Sequence, residues 1–101
     1  MQVYRLEPKG GDTRDPNWAA TTLKFKCWVL ADSEDNARQA VMLATGIGAR
    51  IEPGQPIPTS PWLRRDLTDC IPDKASGHEP PFGVILTLHG TITVPEKGAN
   101  T

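Results

Sequence analysis

The sequence predicts an α+β domain of order β-β-α-β-β, a mainly antiparallel four-stranded sheet with one helix on its apolar face, running over residues 1 to 94. Three observations predict it. "TTLKFKCWVLA" at 21–31 alternates, with Leu23, Phe25, Cys27, Val29 and Ala31 on one face and Lys24 and Lys26 on the other. Ala37, Ala40, Val41 and Ala44 recur at i, i+3, i+4 and i+7, the spacing of one buried helical stripe. Phe82, Val84, Leu86, Leu88, Ile92 and Val94 fall on one side of an extended chain.

In chain order, "QVYRLEP" is a short strand with Tyr4 and Leu6 on either side of Arg5, closed by Pro8 and the Gly10-Gly11 pair. Asp15 before Pro16 is pushed out of the helical region, so "DTRDPNW" turns a corner and Trp18 folds back to cap the core. In the second strand, Trp28 and Leu30 interrupt the polar face, which requires that end to be covered on both sides by the chain or by a partner. Ser33 is placed to cap a helix over 34–45, with Glu34 and Asp35 complementing the positive end of its dipole. Gly46 or Gly48 then ends the helix in the left-handed conformation.

Residues 50–66 hold four prolines and predict an extended loop packed by its side chains. Ser60-Pro61 starts one helical turn there, which presents Trp62 as a buried anchor and Leu63 beside it. "LTDCI" is a short third strand, and "PDKASGHEPP" a polar loop. Residues 82–94 form one long strand with Gly90 at a bend or bulge, ended by Pro95; residues 95–101 are a flexible tail.

Charge narrows the function classes. The formal net charge is −1, and residues 1 to 30 carry five basic and three acidic side chains, so no strong electropositive field speaks for nucleic acid. No run approaches the roughly 18 to 20 apolar residues of a membrane span, and "MQVYRLEPKGG" lacks the apolar region of a signal peptide, which predicts a cytoplasmic protein. Cys27 and Cys70 form neither a CxxC pair nor a disulfide framework, and are expected to be free, buried thiols.

"VLADSEDNARQA" at 29–40 runs from strand to helix, the kind of turn that holds phosphate in many proteins. Such a turn needs glycines and an uncharged helix start, whereas Asp32, Glu34 and Asp35 already occupy this one, so it is a capped helix start. "TGIGAR" lacks the third glycine, the preceding strand and the following helix of a nucleotide fingerprint. Cys27, Cys70, His78 and His89 match no zinc spacing, and neither metal nor cofactor is expected. Cys70 with His78 or His89 would make a nucleophile pair, yet Asp66, Asp69 and Asp73 beside it raise the thiol pKa, the wrong direction for attack. Arg5, Lys24 and Lys26, with Trp28 further along, form a basic and aromatic surface able to stack a base or grip an acidic partner. The plainer alternative is a solvated sheet face whose lysines blunt an edge.

"VYRLEP" at 3–8, "DPNW" at 15–18, "ADSEDNAR" at 31–38 and "PWLRRDLTDC" at 61–70 together resemble a family of small uncharacterised bacterial proteins. The resemblance covers residues 3 to 70 and implies a shared fold, without an activity, cofactor or catalytic residue. The function expected first is therefore a non-enzymatic bacterial protein-binding or regulatory module, acting on a protein partner or as a homodimer through its sheet face or edge. An enzyme using Cys70 with a histidine comes second. A nucleic-acid module using Arg5, Lys24 and Lys26 comes third.

Overall fold

The computed structural model describes residues 1–46 and 59–95. Its elements are β1 (Gln2–Pro8), β2 (Cys27–Ala31), α1 (Glu34–Thr45), β3 (Thr68–Pro72), β4 (Val84–Thr87) and β5 (Gly90–Thr93), with 3-10 turns at Lys9–Gly11, Pro16–Ala20 and Pro61–Leu63. The strands form one sheet in the order β3-β1-β2-β4-β5, each neighbouring pair antiparallel. Connections cover both faces. The path from β2 to β3 carries α1 across one face, and the segment from Asp73 to Gly83 crosses the sheet from one edge towards the other.

The α+β class holds, but the sheet has five strands where the pattern predicted four. The predicted long strand 82–94 is a hairpin, and Gly90 is no bulge inside it. Thr87 Oγ1 accepts from the His89 N–H at 3.1 Å and donates to the Gly90 carbonyl at 2.9 Å, so a hydroxyl closes the two-residue turn. Gly90 leaves that turn at φ 139°, which a side chain would resist. The hairpin pairs Ile85 with Ile92, so odd positions of β4 share a face with even positions of β5. Ile85 and Thr87 therefore face the core, Val84 and Leu86 turn to the opposite face, and Phe82 and Leu88 are exposed, against the predicted assignment.

The second strand is shorter than the alternation at 21–31. Beyond Cys27 its register with β1 would set Phe25 opposite Pro8, which has no N–H to give. Residues 21–23 are held instead by the end of α1, through a bridge from Thr21 to Gly46 and a bond from Thr22 N–H to the Thr45 carbonyl at 2.8 Å.

Helix α1 spans 34–45 as its spacing predicts, capped by Ser33, whose Oγ accepts from the Asn36 N–H at 3.1 Å. Ala37 and Val41 are fully buried, and Ala40 and Ala44 pack at the margin of the core. Gly46 does not adopt the predicted left-handed conformation; it is extended, at φ −64°. Clearance is what a glycine supplies there, since a Cβ would sit 2.9 Å from the Met42 carbonyl oxygen. Gly48, most of the proline-rich loop and the tail from 96 onward lie outside the described residues.

The core gathers Tyr4, Leu6, Trp18, Leu23, Cys27, Val29, Ala37, Val41, Trp62 and Ile85 between the sheet and α1. Trp18 and Trp62 meet edge to face, ring centroids 5.4 Å apart, as their predicted burial requires.

Candidate functional site

Arg5 and Trp28 lie on the sheet face away from α1, whereas Lys24 and Lys26 precede β2 and are not strand residues as the alternation predicted. The register sets Arg5 opposite Trp28, but charges from the same face meet Arg5: its Nε contacts Glu7 at 3.2 Å and its Nη1 contacts Asp73 at 3.3 Å. Lys26 lies 3.7 Å from Glu7, and Lys24 is exposed in the irregular segment before β2. Trp28 is buried. His78 stacks on its ring at 3.8 Å and 12° between planes, and the Trp28 indole Nε1 donates to Asp73 Oδ2 at 3.1 Å. The crossing segment 73–83 thus covers the end of β2 that Trp28 and Leu30 marked in the sequence, and the chain itself supplies that cover.

Asp73 latches this segment. Its backbone N–H donates to the Val3 carbonyl at 2.9 Å, and its carboxylate accepts from Trp28, Arg5 and the Ser76 N–H. The Trp28 indole, Ser76 and the Arg5 charge hold this carboxyl below its ordinary value, against the effect of burial. A folded-state pKa lowered in this way adds stability above the unfolded value of about 3.9 and loses it as pH falls towards the folded pKa. Asp73→Asn is accordingly expected to melt below the wild type at pH 7, with the gap closing as pH drops below about 4. A gap constant from pH 7 to pH 3 in calorimetry would contradict the latch.

The nucleophile pair is not assembled. Cys70 on β3 faces α1, His78 stacks on the opposite face, and His89 sits in the β4–β5 turn at the far edge of the sheet. Four strand intervals separate those edges, on the order of 19 Å. Burial is the first cause that pushes the Cys70 thiol up to about 12; Glu34 and Asp35 add to it while Arg38 and Arg65 oppose. The direction is the predicted one, but the acids responsible belong to the helix start and not to Asp66, Asp69 and Asp73. Alkylation of Cys70 in the native protein, with Cys27 replaced by Ser, is expected to run more than about tenfold slower than in urea. Equal rates would restore a reactive thiol. Cys27 and Cys70 are both cross-strand neighbours of Leu6, one on each side, so about two strand spacings separate them and no disulfide can bridge that gap. Among the described residues, no three His, Cys, Asp or Glu side chains converge as a metal site, and no helix is long and apolar enough to cross a membrane.

The two sheet edges differ sharply. On β3, the Asp73 N–H bonded to Val3 and the Leu67 carbonyl bonded to Lys9 point the odd residues towards β1, which leaves Thr68, Cys70 and Pro72 facing out. Thr68 N–H donates to the Arg64 carbonyl at 3.1 Å, the Thr68 carbonyl accepts from Arg38 at 3.1 Å, and Pro72 has no N–H. Lys9 and Asp69 add an ion pair of 2.7 Å. Of the six outward backbone positions on that edge, two are engaged and one is missing. On β5, the Val94 N–H donates to the Gly83 carbonyl at 2.8 Å, so Gly90, Ile92 and Val94 turn their backbones to β4, and Thr91 and Thr93 turn theirs outward. Among the described residues no strand lies beyond β5. The alternation of residues 82–94 hides this edge because it runs unbroken through β4 and β5; the available signal is Thr87 and Gly90 with two residues between them.

No family model, curated protein or solved structure matches the chain.

Proposed function

We propose that the chain is a non-enzymatic protein-contact module whose binding element is the outer edge of β5. The carrying observation is the contrast between edges: Thr91 and Thr93 present backbone N–H and C=O groups to solvent on an uncharged strand, where β3 spends or lacks half of its own. A row of outward backbone groups on an uncharged edge is a template for an added strand. The enzyme alternative is weakened by the separation of Cys70 from both histidines. The nucleic-acid alternative is weakened by the burial of Trp28 and the engagement of Arg5 and Lys26 by acids.

Thr91→Pro tests the proposal, because the Thr91 N–H faces away from β4 and its loss costs no bond in the hairpin. Random peptides displayed against sparsely immobilised wild type are expected to enrich extended, β-branched sequences that lose binding to Thr91→Pro. Enrichment indifferent to that substitution, or none at all, would refute the proposal.

A further inference from the structure

We propose that the strand seated on β5 is β5 of a second copy, antiparallel, with a twofold axis through Ile92. The inference rests on the β5-edge function proposed above and names its occupant. Thr91-Ile92-Thr93 reads the same in both directions, as a symmetric contact of a strand with itself requires. Centred on Ile92, Thr91 of one copy faces Thr93 of the other, and both such pairs exchange two backbone bonds. All four outward groups of each copy are then satisfied.

Neighbouring registers do worse. A slip of two residues towards either end sets an outward threonine against His89 or Pro95. The His89 N–H is already given to Thr87 Oγ1, and Pro95 has no N–H. The centred register also places the two Ile92 side chains together on the core-facing side, where Ile92 is only partly buried in one copy. It sets Gly90 opposite Val94 of the second copy, so the larger side chain meets the residue that has none. Charge agrees. From Pro80 to Pro95 the chain carries no Asp, Glu, Lys or Arg, so two copies meet without like-charge repulsion, and a charged partner segment finds no complement. Phe82 and Leu88, 68% and 66% exposed, lie at opposite ends of this hairpin, and antiparallel pairing brings the Leu88 end of one copy beside the Phe82 end of the other.

Sedimentation equilibrium of the full chain at tens to hundreds of micromolar reads the proposal directly. The expected result is twice 11.0 kDa for wild type, and 11.0 kDa for Thr91→Pro with an unchanged circular dichroism spectrum. Register is read by oxidation in a Cys70→Ser background. Ile92→Cys is expected to cross-link to itself, since the facing Cα atoms of such a pair lie about 4.5 Å apart. Thr91→Cys alone is not, because like threonines sit on the diagonal at about 7 to 8 Å. Should Ile92→Cys fold poorly, an equimolar mixture of Thr91→Cys and Thr93→Cys chains is expected to cross-link as a heterodimer. A wild type of 11.0 kDa at every concentration, or cross-linking of Thr91→Cys in preference to Ile92→Cys, would overturn the proposal. If peptides still bind through Thr91 in that case, only the occupant is wrong; if they do not, the edge function falls with it.

Discussion

Arg38→Ala is expected to destabilise the protein by about 3 to 5 kcal/mol, more than any other substitution of a charged residue. Arg38 is 4% exposed, and its guanidinium ties three segments together. Its Nε contacts Glu34 at 2.9 Å, its Nη1 donates to the Trp62 carbonyl at 3.1 Å and to Thr68 Oγ1 at 2.7 Å, and its Nη2 donates to the Thr68 carbonyl at 3.1 Å. Truncation leaves those buried acceptors without donors, each costing about 1 to 3 kcal/mol. An apolar replacement of matched size does not escape this cost. Replacing both members of a buried pair by apolar groups can be neutral, but here two of the acceptors, the Trp62 and Thr68 carbonyls, are backbone groups that no substitution removes. Arg38→Lys keeps the charge and loses the fork, so it is expected to recover less than half of the loss. Glu34→Gln is expected to cost under about 1 kcal/mol, because that carboxylate is partly solvated. Urea melts of the three variants give the ranking, and an Arg38→Ala melt within about 1 kcal/mol of wild type would remove Arg38 from its structural role.

What was legible in the sequence was what short-range chemistry decides. Ser33 with its following acids, the alanine spacing and Pro61 before Trp62 set α1 and the turn that carries Trp62, because caps and turns involve partners only a few residues apart. Arg38 was not legible. As an arginine outside the alanine stripe it resembles a solvated position, and only its place three residues before Val41 and four after Glu34 hinted at a buried face with an acid in reach. The cover on Trp28 was equally hidden, because it comes from His78 and Asp73, brought back by a segment with no periodicity of its own. The split of 82–94 escaped because its turn lacks the Asn-Gly signature and uses the Thr87 hydroxyl. Alternation alone could not expose the error, since either reading keeps apolar residues at every second place. The β5 edge followed from that split: which strand lies outermost depends on strand order, a property of the whole chain and not of any window in it.

Trp62→Ala is the second large loss expected, about 3 to 5 kcal/mol. The side chain is fully buried, meets Trp18 edge to face, and shares its Nε1 proton between Thr21 Oγ1 at 3.1 Å and the Leu23 carbonyl at 3.2 Å. Those bonds anchor the irregular segment before β2, which has no strand partner there, to the turn before β3. Packing and hydrogen bonding separate by comparison. Trp62→Phe keeps most of the apolar volume but strips both acceptors of their indole donor, a loss of about 1 to 3 kcal/mol. Trp18→Phe removes a ring of similar burial whose Nε1 has no partner among the described residues, so only packing is disturbed and the loss should be smaller. Chemical denaturation is therefore expected to order the variants Trp62→Ala, Trp62→Phe, Trp18→Phe from least to most stable. Equal stability of the two phenylalanine variants would mean that the Trp62 indole bond to Thr21 and Leu23 contributes nothing, and that burial alone holds the 21–23 segment in place.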